Sequence, residues 1–345
     1  MRFLAGVALA AAGLLAGACS GSREAWTHRN GADNPLAGAI YDVAAARPIR
    51  ERDLVARLGE QEFVLVGEAP GNVDHARLAA RLIKELAGEG RRLAAVALAP
   101  LPSDSQPAVT EYMTRHPGDA AGLAAVVREA APDRPQLVRL APVVDSAVAA
   151  GAQLVAPDLP PQALRGVLTH GLKALQPAFV QRTGLTAALA APLAAALKEE
   201  LSLVSCERVN GRGLDALVRT RRARDANMAD RLAAITGRGQ SVLVAEAAHV
   251  RKDRGVPWYL ARLRPVARVA TVALVELPPG AAAAAPPLAG LPYDYVWFTP
   301  SAYPAGFDPC RPGVQARPGG GGGRGGGEPG APAPESTDAL RADAG

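Results

Sequence analysis

The chain is poor in aromatic residues and short of thiols: phenylalanine, tryptophan and tyrosine make up 4% of its 345 residues, and it has 3 cysteines. Its arginines are spread over several segments without aromatics between them. The formal charge of +5 therefore does not describe a nucleic-acid surface, which combines clustered cations with stacking platforms. No C-x-x-C, H-E-x-x-H or G-x-S-x-G occurs, so the short signatures of dithiol, zinc-protease and serine-hydrolase chemistry are missing. The glycines of 318–327 form a low-complexity run and not a strand–loop–helix phosphate cradle. No repeat at a solenoid period is present either.

The ends of the chain carry their own signals. Residues 1–18 pair one arginine with an apolar run too short for a comfortable membrane span, and close on small residues before Cys19. This pattern predicts a secretory signal peptide. Cys19 resembles the lipidated cysteine of bacterial lipoproteins, although Ala16 stands where that motif prefers leucine. Lipidation would anchor the protein to a membrane. Ser20, in place of an aspartate, points to an outer-membrane lipoprotein facing the periplasm. Residues 19–36 then read as a lipidated tether, and 311–345, rich in glycine and proline, as a disordered tail.

Export also places Cys206 and Cys310 in a disulfide-permissive compartment, where an even pair reads as one bridge. Closing a loop of about a hundred residues is worth roughly 4 to 5 kcal/mol in the chain-entropy model.

Between the ends, near-continuous apolar runs at 62–67, 93–99, 153–156, 241–245 and 268–276 predict strands buried on both faces. Helical periodicity at 73–87, 138–150, 214–235 and 257–264 alternates with them. The expected fold class is therefore α/β, a mostly parallel sheet with flanking helices, over 37–310. The stretches within about 103–135 and 161–205 have helical patterns without strands and predict a small helical subdomain at one end of the sheet.

In an open α/β sheet, ligands bind outside the carboxyl ends of the strands. Two segments put chemistry there. The first is Gly67-Glu68-Ala69-Pro70-Gly71-Asn72-Val73-Asp74-His75, where Gly67 allows a tight turn, Glu68 leaves the strand end, and Asn72 or Asp74 caps a helix carrying His75. Glu68 and His75 suit divalent-metal binding or acid–base work; equally, His75 is a solvated first-turn residue. The second runs from an arginine-studded helix through strand 241–245 to His249, followed by Arg251, Lys252, Asp253 and Arg254. A histidine beside cations offers a metal ligand next to groups that pair with an acidic ligand. Tyr259 reads as a phenolate partner or a core aromatic.

These motifs, in this order, resemble the ChaN-like family of bacterial lipoproteins, related to the Tiki and erythromycin-esterase-like superfamily. The resemblance rests on the 67–75 segment, on Arg222-Ala223-Arg224-Asp225-Ala226-Asn227-Met228-Ala229, on the run from Ala245 through His249 and Arg251 to Pro257, and on Asp294–Pro300 with Asp308-Pro309-Cys310. It implies haem binding in the service of iron uptake, without turnover, with haem at a homodimer interface. His249 and Tyr259 would then be candidate axial groups and Arg251, Lys252 and Arg254 the partners of the propionates. The chain departs from the family pattern at Pro70, Gly71 and Ala99 and at Glu246, Ala247 and Ala248. Pro70 replaces a histidine and offers no ligand. That disfavours the alternative, a metal-dependent hydrolase using Glu68, His75 and His249. A degenerate envelope protein with a scaffolding role and no ligand is the third reading.

Overall fold

The computed structural model describes residues 25–88, 91–235, 239–282 and 287–311. The expected signal peptide 1–18, Cys19 and the tail from residue 312 lie outside the described residues. Of the described helices, none is long and apolar enough to cross a membrane.

In chain order the elements are β1 (Ile40–Asp42), β2 (Arg47–Ile49), α1 (Glu51–Leu58), β3 (Phe63–Glu68), α2 (Val73–Ala87), β4 (Leu93–Leu98), α3 (Gln106–Arg115), α4 (Ala120–Ala130), α5 (Gln136–Arg139) and α6 (Ala141–Ala149). There follow β5 (Gln153–Val155), α7 (Pro161–His170), α8 (Pro177–Thr183), α9 (Ala191–Val204), α10 (Gly211–Ala233), β6 (Gln240–Glu246), α11 (Val256–Leu263), β7 (Val269–Leu277) and β8 (Tyr295–Pro300). One sheet runs in the order β2-β1-β8-β7-β3-β6-β4-β5. From β8 to β5 all neighbours are parallel, and β1 and β2 add an antiparallel edge. The α/β class with a mostly parallel sheet is what the sequence predicts.

β3 sits near the centre, and its side chains explain the layering. Val64 and Val66 point into one apolar cluster, with α2, α4 and α6, while Phe63 and Leu65 point into the other, with α10 and α11. Period-2 alternation in a strand that is buried throughout requires helices on both faces. Burying each such Val, Leu or Phe is worth roughly 1.5–3 kcal/mol, so the centre of the sheet is its most strongly fixed part.

The structure departs from the sequence expectations in several places. The helices of 103–135 and those of 161–205 do not gather in one subdomain. Val109, Leu123 and Val127 join the first cluster, and Val167, Phe179 and Leu185 join the second, on the opposite face. The single helix expected at 138–150 is broken into α5 and α6, because Pro142 has no N–H to donate and belongs in a first turn. The tether is shorter than expected: Trp26 is buried, and the N–H groups of Thr27 and His28 donate to the Asp74 carboxylate at 2.9 Å each. Finally, β8 was not expected as a strand, yet Val296–Thr299 is buried throughout.

The expected bridge is present. Cys206 and Cys310 are disulfide-bonded, 104 residues apart in sequence, with Cα atoms 5.3 Å apart.

Candidate functional site at the carboxyl edge of the sheet

Helix α10 explains why a carboxylate is buried here. Asp225, Met228, Ala229 and Leu232 recur at helical spacing and share the face packed toward the sheet, so Asp225 is drawn inside with its apolar neighbours. One turn earlier, Arg221 Nε lies 3.8 Å from Asp225. Beside it Arg224 makes a two-pronged contact with fully buried Asp158, 2.9 Å on each prong, and Arg134 reaches Asp158 at 3.3 Å. Glu200 of α9 takes Arg254 at 2.5 Å and Arg221 at 3.5 Å. Buried charges of this kind persist only when paired and hydrogen-bonded.

β6 delivers the histidine into this network. After Glu246 the chain makes one turn of 3-10 helix, Ala247–His249, which is the first departure from extended backbone. This turn crosses over β3 at Gly67: a Cβ there would come within 2.5 Å of Val250 Cγ2 and 2.8 Å of Ala247 Cα. Gly67 is thus required for close packing of the His249 turn, while β3 itself continues to Glu68. On the far side, Gly255 N–H donates to Arg251 O, and a Cβ at Gly255 would strike the His249 carbonyl at 2.2 Å. Loop 251–255 is therefore folded tightly against the histidine's own backbone.

His249 is 1% exposed. Its Nδ1 is 2.5 Å from Asp225 Oδ1, and its Nε2 is buried without a hydrogen-bond partner among the described residues. Burial, with Arg221 and Arg224 close by, holds its pKa well below the usual value, so the ring is neutral. Burial pushes Asp225 up to about 8, while the same arginines pull it back. The neutral ring carries one proton: with Asp225 ionised that proton sits on Nδ1 and the Nε2 lone pair is free to accept a ligand, whereas a protonated Asp225 donates to Nδ1 and places the ring proton on Nε2.

The cations predicted around His249 are close to it in sequence but already engaged. Arg251 binds Asp253 through two contacts of 3.1 and 2.7 Å. Lys252 pairs with Asp294 and lines an open groove of about 570 Å³ with Tyr293 and Tyr295. Arg254 is buried on Glu200. Tyr259 is a core side chain, fully buried, with its hydroxyl 3.2 Å from Arg222 Nε. Burial raises its pKa to about 12.

The first motif reaches the same edge of the sheet but does not form a metal cluster. Asn72 is the cap of α2, accepting from the N–H of Asp74 at 3.0 Å. His75 is buried, not solvated: its Nδ1 accepts the Ala69 N–H at 2.8 Å and its Nε2 lies 2.7 Å from Thr299 Oγ1. Both ring nitrogens are therefore engaged, and burial lowers its pKa to about 3. Glu68 pairs in register with Glu246 of β6. Burial, then the Glu246 charge, raises Glu68 to about 8, against a pull from Arg139. Among the described residues, no three side chains of metal-binding type converge.

Residues 54–260, more than half of the chain, match the profile of the family described as haem-binding uptake, Tiki superfamily, ChaN. The chain belongs to that family. Among solved structures, it is similar to ChaN of Campylobacter jejuni, described as binding haem cofacially: 18% identity, TM-score 0.59, 75% of this chain and 95% of that one covered. At that identity the likeness shows the fold. The type III effector HopBA1 aligns at 12% identity and TM-score 0.40, over 72% of this chain and 91% of that one. Among curated protein sequences, none matches.

Relative to what the sequence offered, this family member's site gains Asp225, Asp158, Glu200, Glu246 and Arg139. A signal for Asp225 existed in the helix pattern: a carboxylate one turn before Met228 and Ala229, inside the apolar stripe of an amphipathic helix. Asp158 and Glu200 come from loops and helices distant in sequence and left no local trace.

Proposed function

We propose that this protein binds haem as a lipoprotein of the cell envelope, anchored through Cys19 to the outer membrane and facing the periplasm. It would serve haem and iron uptake without turnover. Membership of a haem-binding uptake family supports the ligand class. The observation that carries the assignment of a residue is His249: Nδ1 pinned by a carboxylate, Nε2 buried and unpartnered. Histidines that ligate metals hold their second nitrogen in this way, which fixes the ring and raises its basicity. Haem iron suits an imidazole donor of this kind and would supply a Lewis-acidic centre for Nε2 once the side chains that bury it give way.

The remaining requirements follow from the same geometry. Arg251, Lys252 and Arg254 reach the propionates only by exchanging their present carboxylates for the ligand's. Tyr259 stays in the core. A homodimer with haem at the interface belongs to this reading as the family resemblance implies it. The test is titration of the protein with haemin. A saturable shift of the Soret band is expected, and a spectrum equal to the sum of free haemin and protein would sink the proposal.

A further inference from the structure

The segment that follows β8 is held at both ends. At its root, the Glu276 carboxylate at the end of β7 accepts from Ala302 N–H at 2.8 Å, from the Asn72 amide at 2.7 Å and from the Ser301 hydroxyl at 3.3 Å. Ser301 is also bridged to Asn30. At its far end, Cys310 is bonded to Cys206, in the turn between α9 and α10. Between these points Tyr303 and Phe307 stack with ring centres 4.1 Å apart.

This strap therefore runs from the carboxyl edge of the sheet to the helical layer that holds the His249 network. Six residues before Cys206, on α9, Glu200 grips Arg254 and Arg221. Through Glu276 the root of the strap is tied to Asn72, the cap of the helix that follows β3, so the strap and that strand end share one neighbourhood. The anchor turn is under backbone strain: Cys206 and Glu207, neither a glycine, sit at φ 54 and 55. Both cysteines are half-buried and not enclosed, and Leu203 and Val204 stand exposed beside them, which puts the bond at the surface of the molecule.

We infer that residues 301–310 form a redox-released strap, held over the carboxyl edge by the Cys206–Cys310 disulfide and freed when a protein dithiol reduces that bond. The attacking thiolate forms a mixed disulfide with one cysteine and expels the other as a thiolate, which takes up a proton. The second thiol of the reductant then resolves the mixed disulfide. Two electrons and two protons pass to Cys206 and Cys310, and the reductant leaves as a disulfide. The consequence for ligand release rests on the haem reading; the opening of the strap does not.

The experiment is hydrogen exchange on the full chain, oxidised and after reduction by a phosphine, with both thiols counted by mass. About tenfold faster exchange is expected in 301–310 and at the ends of β3 and β7, with the middle of β3 and of β4 unchanged. Unchanged exchange with both thiols free would overturn the proposal. If reduction loosens the whole fold, the oxidised double variant Tyr303→Ala, Phe307→Ala decides. Local acceleration at the strap and strand ends supports the strap, and wild-type exchange there overturns it. Haemin dissociation should be several-fold faster in the reduced protein; equal rates with an opened strap would contradict gating. Failure to bind haemin in either state would remove the haem reading alone.

Discussion

Asp225 and His249 face each other at 2.5 Å in a fully buried pair, and the outer nitrogen of the imidazole has no partner among the described residues. One carboxylate thereby fixes the ring, sets where its proton sits, and balances Arg221. Removing it leaves an unsatisfied Nδ1 and an under-paired buried guanidinium. Asp225→Ala is therefore expected to destabilise the fold by roughly 3–5 kcal/mol, and Asp225→Asn, which retains an oxygen acceptor, by less. Chemical denaturation of the two variants checks this order, and equal losses would contradict it.

Gly67→Ala tests how the histidine is positioned. The added methyl would lie 2.5 Å from Val250 and 2.8 Å from the backbone of Ala247, which must move the 3-10 turn. The expected cost is about 1–3 kcal/mol by denaturation, with haemin affinity reduced as well. Unaltered stability would show that the turn is free to shift.

The pH dependence of stability follows from Glu68 and His75. Glu68 has a folded pKa of about 8 against an ordinary 4.5. The folded state then holds the extra proton, so stability falls as pH rises from about 4.5 through 8. Glu68→Gln should flatten this limb and stabilise the protein at pH 8 relative to wild type, by an amount on the order of 2–4 kcal/mol. Asp225, also raised to about 8, keeps part of the slope. Thermal melts across pH 5–9 measure both slopes, and a wild-type slope in Glu68→Gln would contradict the assignment.

His75 acts in the opposite direction. Its folded pKa of about 3 lies below the ordinary 6.5, so it stabilises the fold above 6.5 and that contribution is lost as pH falls toward 3. His75→Phe should lower stability by about 2–4 kcal/mol at neutral pH, because Ala69 N–H and Thr299 lose their partner, and should weaken the acid dependence. If the variant is folded, its haemin affinity should match wild type, since both nitrogens of His75 serve the fold. A large loss of affinity would reopen the first motif as a ligand site.

Much of the architecture was legible because its determinants are local. The five strands β3 to β7 and α2 emerge from apolar runs and caps a few residues long, and Val73–Ala87 is found as expected. What escaped was set by distant partners. β1 and β2 are three residues each and exist by pairing, β1 with β8 and β2 with β1, and the apolar-run criterion passed over β8. Thr27 and His28 were read as tether because nothing local shows that Asp74, 47 residues on from Thr27, accepts their backbone N–H groups. His249 was legible from its place after a strand, whereas the pairing of Arg251, Lys252 and Arg254 with carboxylates was not. Of these, Asp253 and Asp294 lie in loops and Glu200 on a different helix.

The central claim is that His249 Nε2 ligates haem iron. The most direct measurement is the electron paramagnetic resonance and Soret spectrum of the ferric haem complex in wild type and His249→Ala. The account predicts a nitrogen-ligated ferric spectrum in the wild type and its loss in the variant, with affinity reduced at least about tenfold. Identical spectra and affinities in the two proteins would contradict it.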